Sequence, residues 1–266
     1  EHPGLNNQYQ INAQTDIAMA FNDQSVLENH HCVVAFKIMN EHELLKGLRP
    51  QQYRELRRLI IMAILATDMT CHFGLTEDLK NAGMRNAVLI ERLLSKVPIE
   101  PEEMDTTSMK QADRDVIIKT VLHAADISNP CKGWDMSKVW SDRVIEEFFN
   151  QGDKEKAEGL PVSPNMDRDT TKQAQLSINF IDFIVAPLFA SLTALIPKLQ
   201  VACDILAANR VKWSEMQQAE MEQDGKADKV AMRTIKRRTT AFNDVLMPVV
   251  AAATAGGDDE ASGTAK

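Results

Sequence analysis

Apolar residues recur at intervals of three and four along most of this chain, and strict alternation is scarce even where valine and isoleucine gather. Such spacing lays one apolar stripe along a helix and does not present one face of a strand. An all-α fold is therefore expected. With 266 residues, 44% of them apolar, the chain can bury a sizeable core as one large domain or two small ones. No internal repeat is visible.

The first expected helix follows Ser25-Val26-Leu27-Glu28. This is read as a capping box, in which hydroxyl and carboxylate satisfy free amides at a helix start, and the helix carries Val33, Val34, Phe36 and Ile38 to about Glu43. A second starts near Pro50 and runs through Leu56, Leu59, Ile60, Ala63 and Ile64 to Thr67. A third spans Asp113 to Ile127 and stops at Asn129-Pro130, because proline disfavours helical geometry in the residue before it. Met136, Trp140, Val144 and Phe148, four apart, set a fourth from about Asp135 to Asn150. A fifth runs from about Asp167 to Leu195. Residues 76–108 are expected as short helical pieces around Pro98 and Pro101, and residues 154–166 as a polar loop. Beyond Gln217 come a charged segment with Lys236-Arg237-Arg238, an apolar run to Ala253 and a disordered tail of about a dozen residues.

Charge narrows the function. With 38 Asp and Glu against 30 Lys and Arg, the net charge of −8 argues against a nucleic-acid surface, which needs a basic face to displace counterions. The four cysteines, Cys32, Cys71, Cys131 and Cys203, form no C-x-x-C pair, so neither a zinc ribbon nor a dense disulfide framework is indicated; a reducing, cytoplasmic compartment is expected. The run Phe183 to Ile196 is too short to cross a bilayer and holds Pro187, and it reads as a buried helix. Phosphate loops, the G-x-S-x-G turn and a Cys/His nucleophile setting are missing, which weakens kinase, dehydrogenase and serine-hydrolase readings.

Two constellations deliver polar groups to apolar helix faces. Thr67 and Asp68 end a helix whose inward residues are otherwise Leu59, Ile60, Ala63 and Ile64, and the plainer reading has Asp68 or Thr70 cap the next segment. His123 and Asp126 lie three apart on the third helix, with Asn129 where it breaks. Imidazole and carboxylate suit Zn²⁺, Mg²⁺ or Mn²⁺, yet two groups cannot complete a site, and a lone H-x-x-D is more often a satisfied core pair. His30-His31 follows Glu28 closely and His2 precedes Pro3-Gly4; His42 and His72 are read as structural or solvated.

Taken in order, E-H-P-G-L-N-N-Q-Y-Q-I-N, F-N-D-Q-S-V-L-E-N-H-H, L-A-T-D-M-T, L-H-A-A-D-I-S-N-P, W-S-D-R-V-I-E-E-F-F-N-Q-G-D and F-I-D-F-I-V-A-P-L-F resemble the catalytic domain of class I cyclic nucleotide phosphodiesterases. The resemblance covers residues 1–215 and leaves 216–266 as a C-terminal extension. It implies a multi-helix, metal-dependent phosphohydrolase domain of the HD type, with zinc in a tight site, magnesium or manganese beside it, and a bridging hydroxide that attacks phosphorus in line. The implied reaction cleaves the 3′ ester of cyclic AMP or cyclic GMP to the 5′-monophosphate, as part of signal transduction.

Position by position, the resemblance makes Asp126 a metal ligand that also belongs to the substrate-binding set. It makes His2, Glu28 and Thr67 holders of the second metal's waters, Asn129 a hydrogen-bonding partner of the purine, and Val144 and Phe180 the apolar clamp on the base. Ser177 stands where the family places a glutamine against the purine's edge; a hydroxyl is too short to reach as a carboxamide does, and Gln173, one turn earlier, shares its face. Cyclic nucleotide is the implied partner, and a homodimer stays open. The family's H-N-x-x-H stretch and the H-D before H-P-G would precede Glu1, so the 266 residues are expected to be a fragment that neither holds zinc tightly nor turns over substrate, within an active parent. The alternatives are a non-catalytic nucleotide-binding or scaffold module, which Ser177 favours, and a membrane- or partner-binding helical protein.

Overall fold

The computed structural model describes residues 1–94 and 109–223, and these are helical, with no strand among them. They fall into two compact units. The first comprises Glu1–Ile127 with Val139–Lys172, and the second Ser128–Lys138 with the chain from Gln173 onward.

In the first unit two short helices, α1 (Asn7–Asn12) and α2 (Asp16–Ala20), precede α3 (Val26–Glu41). Both escape a reading based on apolar stripes because they are too short to carry one; Asn6 and Thr15 start them by accepting from the amides of Tyr9 and Ala18. The capping box expected at Ser25 does not form. Ser25 adopts left-handed geometry (φ 41°), and its hydroxyl donates to Asp68 Oδ2 at 2.7 Å. The start of α3 is satisfied from a distance instead: Leu27 N donates to Asn7 Oδ1 at 2.9 Å. A tertiary acceptor outcompetes the local one at each end of that exchange.

Helix α4 (Pro50–Leu65) leads through a 3₁₀ turn into α5 (His72–Arg85) and α6 (Ala87–Leu94). The short pieces expected from residue 76 are thus, at their start, part of a 14-residue helix that begins at His72. Pro98 and Pro101 lie outside the described residues. Helix α7 (Gln111–Asp126) packs against α4 and α5, and α3 packs against α4. The core they share includes Leu27, Cys32, Phe36, Ala63, Leu75, Leu79 and Ala124.

Helix α8 (Trp134–Ala157) outruns its expected end at Asn150 by seven residues. Its apolar stripe stops there, but burial does not: Gln151 and Glu155, 2% and 0% exposed, carry the inward face on as polar groups. Gly152 on the same stretch lies directly against the backbone of Met166.

In the second unit α9 (Gln173–Phe180) begins six residues later than expected. Asp167 is held in a turn instead, accepting from Asp169 N at 3.0 Å and from Lys156 Nζ at 2.7 Å. A π-turn (Ile181–Val185) joins α9 to α10 (Ala186–Leu195). Pro187 has no N–H, and its ring crowds the carbonyl four residues back, so the helix widens just before it. The stretch Gln173–Leu195 is 23 residues, long and apolar enough to cross a membrane, which corrects the shorter length read from Phe183. Half of it is buried within the protein, and it carries Asp182, which pairs with the buried Arg210 of α11 (Gln200–Gln223) at 2.6 and 2.8 Å. It is a core helix on which α11 packs. The basic cluster at Arg237 and the tail lie outside the described residues. All four cysteines are free thiols.

Candidate active site

The site assembles where three helix ends of the first unit meet the segment ahead of α1. Glu28 and His31 sit one turn apart on α3 and so share a face. His2 stacks on His31, ring centroids 5.8 Å apart, and its Nδ1 accepts from Gly4 N at 3.0 Å, which leaves the proton of the neutral ring on Nε2. Gly4 permits that turn with φ +71°. Asp68 stands just past α4, and Asp126 is the last residue of α7.

Electrostatics tie these groups together. Asp126 is exposed to solvent yet closely surrounded by protein, and this crowding raises its carboxyl, while the imidazoles of His31 and His2 act in the opposite direction. Burial likewise raises Glu28; the amide of Asn7, 2.9 Å from Oε2, opposes that, and the charges of Asp68 and Asp126 add to it. His31 is pushed down, first by burial and then by His2 and His30. Burial works against the Asp68 carboxylate too, but hydrogen bonds from Ser25 and Thr70 outweigh it and hold the group below its ordinary range. The cap reading of Asp68 is correct, since Oδ1 accepts from Thr70 N at 2.8 Å. Thr67, beside it, donates its hydroxyl back to Ile64 O at 2.7 Å.

Of the residues singled out from sequence, His2, Glu28, Thr67, Asp126 and Val144 belong to the first unit, with Val144 on α8 and 37% exposed. Asn129 opens a 3₁₀ turn of the second unit, and Ser177 and Phe180 lie three apart on α9, all half-buried. Gln175 is engaged with Asn179 and Gln217. Sequence reasoning placed His31 close to Glu28 without giving it a role, and it missed Asn7. The signal for His31 was its spacing of three from Glu28; Asn7 had none, because its partners lie about 20 residues away.

His123 does not pair with Asp126. Its Nε2 lies 2.9 Å from Nδ1 of His72, both rings fully buried, and its own Nδ1 has no hydrogen-bond partner among the described residues. Burial holds the His123 imidazole below its ordinary range. The unfolded chain then binds the proton more readily, so this contribution to stability is whole above about pH 6.5 and is lost as pH falls below it, by at most about 1.4 kcal/mol per pH unit. Thermal melts between pH 7.5 and 5.5 are expected to show that slope, and His123→Asn is expected to flatten it. An acid slope identical in both proteins would show that another group is responsible.

A carboxylate partly stripped of water and faced by imidazoles is a donor set suited to Zn²⁺ or Mg²⁺. Among the described residues no three His, Cys, Asp or Glu side chains close on one point, so Asp126 is one candidate ligand rather than a finished site.

Residues 1–206 match the family model described as 3'5'-cyclic nucleotide phosphodiesterase. The chain is 37% identical over 229 residues to the 3',5'-cyclic-nucleotide phosphodiesterase regA of Dictyostelium discoideum, covering 85% of this chain and 26% of that protein. It is similar to the phosphodiesterase domain of the RhoPDE fusion protein from the choanoflagellate Salpingoeca rosetta, with TM-score 0.71 and 30% identity over 83% of this chain and 66% of that one. The structure of LmjPDEB1 in complex with IBMX matches with TM-score 0.69 and 28% identity, over 82% and 62%. The chain therefore spans about a quarter of its curated relative's length. An all-α arrangement, an acid cluster at three helix ends and a family match over more than three quarters of the chain lead to one conclusion: this protein belongs to the 3',5'-cyclic nucleotide phosphodiesterase family.

Proposed function

We propose that the polypeptide carrying these residues hydrolyses the 3′ phosphoester of cyclic AMP or cyclic GMP. Water oxygen bonds to phosphorus, the P–O3′ bond breaks, the departing oxygen takes a proton, and a 5′-monophosphate leaves. The observation that carries this reading is the family match over residues 1–206, within which Asp126 feels the charges of His31 and His2 and adds its own to Glu28. Asp126 would be an anionic donor for a divalent cation such as Zn²⁺, Mg²⁺ or Mn²⁺. When bound, such ions supply an acidified water and neutralise phosphate charge. Glu28 and Thr67 hold water, and His2 offers Nε2–H to it. By the family resemblance, Asn129 is assigned a hydrogen bond to the purine, and Val144 and Phe180 are each assigned apolar contact with the base. A reducing, cytoplasmic placement belongs to the same reading.

Phosphorus NMR of each cyclic nucleotide mixed with Mg²⁺ or Mn²⁺ and the active parent polypeptide that carries these residues tests the reading. The expected product is the 5′-monophosphate; binding without turnover would favour a nucleotide-binding module instead. In the same assay Ser177→Gln is expected to lower KM for at least one nucleotide by about tenfold, the worth of one good hydrogen bond, about 1.4 kcal/mol. Unchanged KM for both would remove Ser177 from the purine's edge.

A further inference from the structure

A buried polar network in the first unit joins three stretches far apart in the chain, and it ends on Glu28. Its anchor is Glu155, fully buried, which accepts at Oε1 from Ser163 Oγ (2.6 Å) and Gln151 Nε2 (2.8 Å) and at Oε2 from Ser163 N (2.7 Å). A carboxylate accepting there leaves Gln151 one orientation, with its N–H₂ toward Glu155 and its carbonyl oxygen turned away. That oxygen accepts from Asn6 N at 2.8 Å, and the second N–H donates to Asn6 Oδ1 at 2.9 Å. Gln151 thus grips both the backbone and the side chain of Asn6, the residue that caps α1 through Tyr9 N.

Asn7 follows directly, and its orientation is also forced. Leu27 N can only donate, so Oδ1 faces it at 2.9 Å and Nδ2 is aimed at Glu28 Oε2, 2.9 Å away. A simple packing role would need Asn6 pinned and nothing more. The forced polarity of two successive amides carries the constraint past Asn6 to the carboxylate.

We propose that Gln151, oriented by Glu155 and Ser163, is a positioning residue that acts through Asn6 and Asn7 to fix the carboxylate of Glu28. The structural half of this inference stands alone; its catalytic half rests on the hydrolytic reading of the site. Loss of Gln151 frees the segment ahead of α1, swings the Asn7 amide and lets Glu28 rotate, while substrate contacts made by other residues stay in place.

Two measurements test it. Gln151→Leu is expected to lower kcat by about 10- to 100-fold, the usual effect of removing an outer partner of a site, with KM within about threefold. In a Glu28→Gln background the same change is expected to have no further effect on kcat. Effects that multiply, or KM moving with kcat, overturn the proposal. Hydrogen exchange at Leu27 N–H reads the structural half without any turnover: Gln151→Leu is expected to speed it at least about tenfold, whereas unchanged exchange refutes the link even in a protein that hydrolyses nothing. Absent hydrolysis by the unaltered protein with accelerated exchange in the variant would instead count against the functional reading and for the relay. Where Gln151→Leu fails to fold, Asn6→Ala, which keeps the buried anchor, gives the same two readouts.

Discussion

If the proposed hydrolysis runs through Asp126, Asp126→Asn is expected to lower kcat of the polypeptide that carries these residues at least about 1000-fold, close to 4 kcal/mol of transition-state stabilisation. The substitution keeps shape and removes only the anion, so what it deletes is charge at the end of α7. The effect on stability runs the other way. Because crowding raises this carboxyl, its ionised form is unfavourable in the folded protein at neutral pH, and a neutral isostere relieves that cost. The thermal midpoint is therefore expected to stay level or rise while turnover collapses and divalent-ion affinity falls. Such a split is the mark of a group kept for chemistry at the expense of folding. Activity within tenfold of the unaltered protein, measured at saturating Mg²⁺ or Mn²⁺, would remove Asp126 from the reaction.

Gly152→Ala is expected to destabilise the protein by about 3 kcal/mol or more, a fall of roughly 6–12 °C in Tm for a chain of this size. In an ordinary helix interior the same change stabilises by about 1 kcal/mol. Here a Cβ would stand 1.9 Å from the carbonyl oxygen of Met166 and 2.7 Å from its carbonyl carbon. Both are backbone atoms, and the turn that holds them is closed by Met166 N donating to Ser163 O at 3.1 Å. Ser163 is in turn bound to Glu155, so the loop cannot recede without breaking a buried network. Gly74→Ala in α5 is the control: nothing lies within 4 Å of its Cβ, and it is expected to gain stability. Equal melting curves for the two variants would show that the loop yields freely.

The helices were legible wherever an apolar stripe ran for several turns. Val33 to Ile38, Leu56 to Ile64 and Met136 to Phe148 each fall inside an observed helix. Errors arose where burial was polar or where caps came from elsewhere. The tail of α8 was missed because Gln151 and Glu155 look solvated in a linear reading and are buried in fact. Ser25 looked like a cap because its neighbours fit the motif, while its hydroxyl is taken by an acid 43 positions later. His72, which reads as structural or solvated, is buried, and its partner is His123, which the spacing pairs with Asp126 three residues along and which instead meets His72 across the interface of α5 and α7.

What the sequence alone determined is helical class, the acidic surface and the order of motif blocks that identifies the family, because periodicity, charge and spacing are properties of neighbours along a chain. Tertiary structure decided which of the polar residues meet: His31 with His2, Asn7 with Glu28, Gln151 with Asn6. Those pairings depend on where helix ends come to rest once their apolar faces are buried, and no local pattern encodes that position.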